Sequence, residues 1–263
     1  MKIGFIGCGN MGTAMIRGIL KSKVAAPEEM MASDLSEAAR EKIKKELGIG
    51  CGSNQETARF ADVLVLAVKP QFYEEMLSSI REEVQTDTLI MSLAPGRSLA
   101  YLSERLGAQV PVIRVMPNTP ALIGQGMAGI CGGKNVTESQ LACAKKICES
   151  FGRCEVVTEH MLDVVTGISG SSPAYVFMMI EAMADAAVAE GMPRAMAYEF
   201  AAQAVAGSAK MVLESGLHPG ILKDQVCSPA GTTIEAVAVL EKMGFRSALI
   251  EAVRACVKKA GSM

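Results

Sequence analysis

The sequence predicts an α/β fold, in which an N-terminal doubly wound parallel sheet is followed by an all-helical domain. Three observations support this prediction. Short apolar runs alternate with helical patterns through the first half of the chain. Strand signals then stop after about residue 158, and two of the later helical segments are apolar on nearly every side. We therefore expect domains over residues 1–158 and 159–263.

The first element is an apolar strand at residues 2–6 that enters a glycine-rich turn. Gly7, Gly9 and Gly12 form a G-x-G-x-x-G pattern, and the helix predicted after it covers residues 11–22. In this strand–turn–helix context, Gly7 makes the tight turn, Gly9 admits a pyrophosphate, and Gly12 permits close helix packing. The pattern is typical of a Rossmann dinucleotide-binding domain, although a purely structural glycine turn is the alternative.

The rest of the first domain continues the alternation of strands and helices. The apolar runs predict strands at residues 30–33, 63–68, 89–93 and 112–115, with helices around residues 36–47, 71–84 and 98–106. Right-handed crossovers would arrange these strands in a mostly parallel sheet. We expect a hairpin-like tail to finish the domain, with strands at 127–131 and 154–157 and a helix near 138–150.

The second domain contains two helical segments, near residues 174–190 and 194–214, that are rich in Ala, Met and Val on all sides. A helix of this kind must be covered all round. A bundle of about 105 residues (263 − 158) cannot easily do this alone. We therefore predict an all-helical dimerisation domain and a homodimer; a well-covered monomeric bundle is the alternative.

Composition excludes several classes of function. The net charge of −2, without a basic block, argues against binding to nucleic acid or to an anionic membrane, and favours a small-molecule substrate. Eight cysteines occur without any C-x-x-C spacing, and the chain has only two His, so no metal site is predicted. Free cysteines suit a reducing compartment, and a strand at residue 2 leaves no room for a signal peptide. We expect a soluble, cytoplasmic protein.

An acidic residue follows the second predicted strand. Asp34 comes directly after Ser33 and lies 22 residues beyond Gly12, where a carboxylate commonly accepts hydrogen bonds from the adenosine ribose. Such a carboxylate favours NADH over NADPH. The alternative is that Asp34 caps the next helix, because Glu37 lies at capping-box spacing.

Four further polar segments could belong to a site. Ala67-Val68-Lys69-Pro70 and Met116-Pro117-Asn118-Thr119-Pro120 each follow a strand, at the edge where ligands bind in open sheets. The segment from Gly167 to Tyr175 ends one helix and starts another, with Ser172 as cap and Pro173 first in the new helix.

The fourth segment, Ser228 to Glu235, offers Gly231, Thr232 and Thr233 at a helix start, which suits a carboxylate. Simple capping through Thr232 and Glu235 is the alternative. His160 and His218 lie in no polar motif, and no carboxylate pair or nucleophile elbow is present. Hydride transfer fits this lack of acids and bases, because the cofactor carries that reaction.

Together these segments resemble the pyrroline-5-carboxylate reductase family over essentially the whole chain, and the later segments are more specific than the glycine turn. The resemblance implies a Rossmann domain, a helical dimerisation domain, and NAD(P)H-dependent reduction of 1-pyrroline-5-carboxylate to L-proline, the last step of proline biosynthesis. It also implies a homodimer, which in this family often assembles into a ring of dimers. The alternatives are a related reductase of another small imine or keto acid, and a non-catalytic nucleotide-binding regulator.

The resemblance also implies roles for individual residues. The cofactor would be bound by Gly7, Gly9, Asn10, Met11, Gly12, Ser33, Asp34, Asn54, Ala67, Val68, Lys69, Pro70 and Asn118. The substrate would be bound by Ser228, Gly231, Thr232, Thr233 and Pro173. The candidate catalytic residues are Thr233, Ser171 and Ser172.

Three positions depart from the family pattern. Ser172 and Ala230 both stand where glycine is common. Asp34 stands where relatives that accept NADPH often have Ser or Arg, and its carboxylate should repel a 2′-phosphate. We therefore expect NADH to be used at least as well as NADPH.

Overall fold

The structure is a computed structural model that describes residues 1–262, and these form two compact units. The first unit contains residues 1–171 and the chain from Cys256 onward, and the second contains residues 172–255. The short helix that follows residue 158 packs on a strand of the first unit. The domain boundary after residue 158 stays a prediction.

The first unit contains eight strands and most of the shorter helices. The strands are β1 (Ile3–Ile6), β2 (Met30–Ser33), β3 (Gly50–Cys51), β4 (Val63–Leu66), β5 (Leu89–Ser92), β6 (Val112–Met116), β7 (Gly126–Gly132) and β8 (Gly152–Val156). The helices are α1 (Asn10–Lys21), α2 (Glu37–Leu47), α3 (Asn54–Phe60), α4 (Tyr73–Ile80), α5 (Leu99–Leu106), α6 (Glu138–Glu149) and α7 (Met161–Val165). A π-helix, Thr166–Gly170, follows α7 directly.

The eight strands form one sheet in the order β3-β2-β1-β4-β5-β6-β7-β8. Every neighbouring pair is parallel except β6 and β7. The predicted doubly wound sheet is therefore confirmed. The chain reverses its direction of strand addition between β1 and β4, and such switch points are where open α/β sheets bind ligands.

The expected hairpin-like tail is wrong in one respect. β7 runs antiparallel to β6, because the chain turns back on itself after β6. A hairpin would make β8 antiparallel to β7, but β8 runs parallel to it. The reason is α6, which carries the chain back along the sheet so that β8 starts at the same end as β7. A helix between two neighbouring strands makes a parallel crossover, and a hairpin needs only a short turn.

The sheet separates two hydrophobic cores, because alternate residues of each strand face opposite sides. Ile3 and Phe5 of β1 join a core with α1, α2 and α6, whereas Ile6 joins a second core with α3, α4 and α5. All three side chains are essentially inaccessible to solvent. The sheet is thus covered on both faces, as the near-continuous apolar strands require.

Two elements of this unit were not predicted. β3 has only two residues, too few for a periodic signal. α3 carries a charged sequence, and its start is defined by a capping box in which the Ser53 hydroxyl accepts from the Glu56 N–H and the Glu56 carboxylate accepts from the Ser53 N–H.

The second unit is entirely helical. It consists of α8 (Ser172–Ala189), α9 (Arg194–Ser215), α10 (Pro219–Val226), α11 (Thr232–Lys242) and the first part of α12 (Phe245–Ala260). α8 and α9 pack on each other, and Ala184, Ala197 and Ala201 are their buried residues. Their outer faces remain uncovered, with Phe177 and Phe200 each 63% exposed. From residue 1 to residue 262, no helix combines the length and the apolar character that a membrane crossing requires.

Candidate functional site

The glycine turn connects β1 to α1 and is tightly constrained at two of its three glycines. Gly7 has φ +103°, and a Cβ there would lie 2.7 Å from the backbone of Ala67. A Cβ on Gly12 would lie 2.2 Å from the Gly7 carbonyl oxygen. A Cβ on Gly9, in contrast, would meet no atom within 4 Å. Only Gly9 therefore faces open space, on the side where a ligand can approach the turn.

The N-terminus of α1 is free to bind an anion. Its cap residue is Gly9, which offers no side chain to the first turn, and that turn contains no acidic residue. Three of the predicted cofactor-binding residues, Asn10, Met11 and Gly12, form the start of this helix. Free N–H groups and the helix dipole favour a phosphate at such a position. The space over Gly9 and the uncapped helix together fit the pyrophosphate of a dinucleotide.

Asp34 lies beside this turn, and both carboxylate oxygens accept hydrogen bonds from the backbone. Oδ2 accepts from the Cys8 N–H at 2.7 Å, and Oδ1 accepts from the Ser36 N–H at 2.9 Å. The alternative in which Asp34 caps α2 is wrong, because the cap is Ser36, whose hydroxyl accepts from Ala39. Ser36 already satisfies that helix start, so Asp34 bridges to the glycine turn instead.

A cleft of about 880 Å³ opens above these elements. Its lining includes the predicted residues Gly7, Gly9, Ser33, Asp34, Asn54, Ala67, Val68 and Lys69. The Ser33 hydroxyl donates to Asn54 Oδ1 at 2.7 Å, which leaves the Asn54 NH₂ group to donate elsewhere. The structure thus collects residues from the ends of β1, β2 and β4 around one cavity at the switch point of the sheet.

The segment after β4 forms the wall of the cleft nearest to β5. Lys69 caps a 3₁₀ turn that starts at Pro70, and Tyr73 follows at the start of α4. The buried Tyr73 hydroxyl donates to the Leu66 carbonyl at 2.8 Å and lies 3.1 Å from Ser92 Oγ. Burial raises the pKa of Tyr73 to about 12. Through these two contacts the Tyr73 hydroxyl connects the start of α4 to the carboxyl ends of β4 and β5.

Asn118 lies outside the cleft lining, and its amide is bound to protein groups at both ends. Nδ2 donates to the Ser169 carbonyl at 3.0 Å, and Oδ1 accepts from the Met127 N–H at 2.8 Å. Asn118 therefore joins the loop after β6 to the π-helix and to β7. Its role as a cofactor ligand stays a prediction.

Ser171 ends the π-helix in the first unit, where the thiol of Cys256 lies 3.2 Å from its hydroxyl. Ser172 is the first residue of α8 and Pro173 the second, so the predicted helix start is confirmed to within one residue. Single π-helical turns within helices are frequent at functional sites. The role of Ser171 as a catalytic residue stays a prediction.

The predicted carboxylate pocket lies in the second unit, at the start of α11. The cap is Gly231 and no side chain bonds to the first turn, so the alternative of a Thr232–Glu235 capping box is wrong. Thr232 and Thr233 instead occupy the first two helical positions. Ala230 takes φ +56°, a left-handed conformation that favours glycine, and turns the chain into this helix. The first-turn N–H groups stay available to a ligand.

Sequence reasoning missed several residues of the cleft. Arg40 of α2, Phe72 of the 3₁₀ turn, and Met76 of α4 all line it. Arg40 is half-buried and donates to the backbone carbonyl of Asp34. Its position one turn into the helix after the acidic residue was a usable signal, because an Arg near the adenosine ribose is a known feature of dinucleotide sites.

The fold and the cleft define a class: a dinucleotide-binding protein with a doubly wound nucleotide unit and an added helical unit. Comparison with family models agrees with both parts. A model described as NADP oxidoreductase, coenzyme F420-dependent, matches residues 2–96, and one described as pyrroline-5-carboxylate reductase dimerisation matches residues 159–263.

Relatives over the full length are more specific. The chain is 51% identical to pyrroline-5-carboxylate reductase of Escherichia coli, with 98% of this chain and 96% of the relative covered. It is 45% identical to the Methanosarcina acetivorans enzyme of the same name, with 96% and 94% covered. A crystal structure of Plasmodium falciparum pyrroline carboxylate reductase with NADP bound matches with a TM-score of 0.90 at 33% identity, covering 100% and 97%. The chain belongs to the pyrroline-5-carboxylate reductase family.

Proposed function

We infer that this protein is an NAD(P)H-dependent oxidoreductase that reduces 1-pyrroline-5-carboxylate to L-proline. The main structural support is the cleft at the switch point of the sheet, where the space over Gly9 is open and the N-terminus of α1 has no side-chain cap. Over almost its full length, the chain also matches reductases of that name. The helical unit supports assembly as a homo-oligomer, since it matches the dimerisation model of the family.

The cofactor is held along the carboxyl ends of the strands. Gly7, Gly9 and the first turn of α1 would bind the pyrophosphate through backbone N–H groups, because this helix start has no side-chain cap. Asp34, Asn54 and Lys69 all line the cleft. Asp34 and Asn54 would face the adenosine ribose, and Lys69 would lie along the nicotinamide half. This arrangement follows the order of the strands around the switch point.

The substrate carboxylate is bound by Thr233 and the first-turn N–H groups of α11, because a helix start without a side-chain cap favours an anion. Ser228, Gly231 and Thr232 shape the same turn, in which the Gly231 N–H donates to the Ser228 carbonyl at 3.0 Å. A Cβ on Gly231 would lie 2.3 Å from Ser228 Oγ, so this turn admits no larger residue without rearrangement. The resemblance to the family assigns Ser171, Ser172 and Pro173 to the substrate as well.

The chemistry supplied by the bound dinucleotide is transfer of a hydride from C4 of its dihydronicotinamide to the imine carbon of the pyrroline ring. The residues of this chain bind and orient the reactants, which lowers the barrier through proximity. The substrate imine can arrive already protonated, and a protonated imine is the better electrophile. The proposed mechanism therefore assigns no side chain as general acid.

The proposed cofactor preference rests on Asp34, whose carboxylate lines the cleft next to the glycine turn. A negative charge there disfavours a 2′-phosphate, and we expect NADH to be used at least as well as NADPH. We also propose that dimers assemble into rings, and that the protein works in the cytoplasm, where its eight free cysteines remain reduced.

The activity is tested by following oxidation of NADH and NADPH on addition of pyrroline-5-carboxylate, and separately of small keto acids. We expect oxidation with pyrroline-5-carboxylate only. Turnover of a keto acid alone would favour a related reductase, and dinucleotide binding without any turnover would favour a regulator. A strong preference for NADPH in kcat/KM would contradict the argument from Asp34.

The substrate site is tested by Thr233→Ala. We expect KM for pyrroline-5-carboxylate to rise by about tenfold, as for loss of one hydrogen bond to a charged group, with the Kd for NADPH unchanged. The matched control is Thr158→Ala, an exposed threonine of the first unit. An unchanged KM would remove Thr233 from the site.

A further inference from the structure

Arg97 lies in the loop between β5 and α5 and contacts the turn that forms one wall of the cofactor cleft. Its Nη2 atom donates to the Pro70 carbonyl at 3.3 Å. The same carbonyl accepts from the Tyr73 N–H, which closes the 3₁₀ turn after Lys69. Lys69 itself lines the cleft. Arg97 therefore connects the loop after β5 to the cleft wall that follows β4.

A second contact fixes the guanidinium of Arg97. Its Cζ atom lies 5.0 Å from the centroid of the Tyr101 ring, which is within range for a cation–π contact. The Tyr101 hydroxyl donates to Glu74 Oε2 at 2.8 Å, so this ring of α5 is itself held to α4. Arg97 and Tyr101 are both half-buried. The ring and the Pro70 carbonyl together determine where the guanidinium lies.

The protein compensates Arg97 poorly at this position. Its Nε atom is buried without a hydrogen-bond acceptor, and the side chain forms no ion pair with any residue from 1 to 262. The Glu74 carboxylate pairs with Arg105 instead, at 3.0 Å. A buried donor without an acceptor is destabilising, so stability does not explain an arginine here. The contact with the cleft wall gives a functional reason for it.

We propose that Arg97 is a positioning residue for the nicotinamide half of the cofactor. This inference rests on the proposed placement of that half along Lys69. Arg97 does not line the cleft, so it acts through the Pro70 carbonyl and the turn after Lys69. Holding this turn in place keeps the dihydronicotinamide oriented for hydride transfer, because misplacing a reactant by about 1 Å can lower a rate about a hundredfold.

A purely structural role for Arg97 predicts different behaviour. A general loss of stability would reduce the fraction of folded protein and would affect every ligand of the cleft equally. Displacement of the turn after Lys69 would affect only ligands that carry the nicotinamide ring. ADP-ribose keeps the adenosine half and the pyrophosphate but lacks nicotinamide. The ratio of the affinities for NADH and ADP-ribose therefore separates the two roles.

Arg105 provides the matched control. Its Cζ atom also lies 5.0 Å from the centroid of the Tyr101 ring. Its hydrogen bonds, however, go to Glu74 and Glu104, and none goes to the turn after Lys69. Arg105→Met should therefore disturb the same ring without releasing the cleft wall.

The binding experiment measures the affinities for NADH and ADP-ribose by calorimetry, which needs no turnover. In Arg97→Met we expect the affinity for NADH to fall about tenfold, as for loss of one charge-assisted hydrogen bond, with that for ADP-ribose within about twofold of wild type. Arg97→Lys keeps the charge and a donor and should restore part of the loss. Arg105→Met should change neither affinity.

The kinetic experiment measures kcat and KM with pyrroline-5-carboxylate and NADH. Arg97→Met should lower kcat by about tenfold or more, because the nicotinamide ring is misplaced, with KM for pyrroline-5-carboxylate within about twofold of wild type. Equal losses of affinity for NADH and ADP-ribose, or a kcat as high as that of wild type, would overturn the assignment. If Arg97→Met does not fold, the same measurements on Arg97→Lys decide. Failure of wild type to bind NADH would instead reject the proposed cofactor cleft.

Discussion

Gly9 and Gly12 stand three residues apart in one turn but are glycine for different reasons. Gly12 faces the Gly7 carbonyl so closely that a Cβ would lie 2.2 Å from its oxygen. Gly9 has φ −66° and ψ −171°, which any residue adopts, and no atom lies near its missing Cβ. The fold therefore requires glycine at position 12, whereas at position 9 we expect the requirement to come from the ligand.

This contrast gives a paired prediction. Gly12→Ala should lower the free energy of unfolding by roughly 1–3 kcal/mol or more, because the added methyl group forces the turn apart. Gly9→Ala should lower the free energy of unfolding by at most about 1 kcal/mol, because alanine is a poorer helix N-cap than glycine. It should nevertheless weaken NADPH binding by at least about tenfold, because the methyl group enters the space above the turn. Urea unfolding and NADPH fluorescence titration measure the two effects, and equal stability of both variants would contradict this account.

At the same scale, the local pattern around Asp34 was ambiguous. The spacing to Glu37 allowed a helix cap, and the spacing from Gly12 allowed a ribose contact. The two hydrogen bonds from Cys8 and Ser36 exclude the cap and direct the carboxylate toward the turn. The partner at Cys8 is 26 residues away, so no local pattern could reveal it.

At the scale of elements, Tyr73 connects α4 to the carboxyl ends of β4 and β5. Its hydroxyl bonds to Leu66 and lies within hydrogen-bond distance of Ser92, and the side chain is fully buried. Lys69 and Pro70, a few residues earlier, form the adjoining cleft wall and turn. Rigid attachment of α4 therefore fixes the wall along which the nicotinamide half is proposed to lie.

The same tyrosine predicts a pH dependence of stability. Burial raises its pKa in the folded state to about 12, from 10.0 when it is solvated. Below pH 10 the raised pKa of Tyr73 contributes its full amount to the free energy of unfolding. This contribution is lost as the pH rises from 10 toward 12, by roughly 1 kcal/mol per pH unit. Tyr73→Phe should be less stable by about 1–3 kcal/mol at pH 8, because the buried Leu66 carbonyl and Ser92 hydroxyl would each lose a hydrogen-bond partner.

The comparison with Tyr73→Phe isolates this effect from other groups that titrate at high pH. Urea unfolding of both proteins from pH 8 to pH 11.5 should show the stability difference shrinking above pH 10. A difference that stays constant over this range would mean that Tyr73 ionises as freely in the folded state as in the unfolded chain.

At the scale of the whole molecule, the helical unit has more apolar surface than a single chain covers. Phe177 of α8 and Phe200 of α9 remain largely exposed, together with Met178 and Met211. Large exposed apolar surface is typical of an interface. We expect a partner chain to cover these side chains, in agreement with the dimerisation model that matches this region.

We expect Phe200→Glu to dissociate the assembly, because a buried carboxylate without a partner opposes association. Sedimentation velocity should show a monomer or a large rise in the dimer dissociation constant. Lys42→Glu, an exposed change on α2, is the control and should leave the assembly intact. An unaltered sedimentation coefficient in Phe200→Glu would remove Phe200 from the interface, and a monomeric wild type would favour the alternative of a bundle that needs no partner.

Much of the fold was predictable because its signals are local. Strand and helix alternation, the glycine turn, and the helical second half each follow from residues close in sequence. The direction of β8 was not, because it depends on the path of α6 across the sheet. The short strand β3 was missed as well, since two residues pair only when β2 is already in place.

The amino-acid sequence by itself determined the doubly wound sheet and eight of the residues that line the cleft, because glycine geometry, strand periodicity and polar residues at strand ends act locally. The resemblance of its motifs to one family indicated the rest. Only the tertiary structure decided what Asp34, Asn118 and Arg40 contact. The partners of Asp34 and Asn118 include groups far away in the chain, and the exposure of Arg40 to the cleft depends on elements that folding brings together. Contacts of this kind exist only after the backbone has packed.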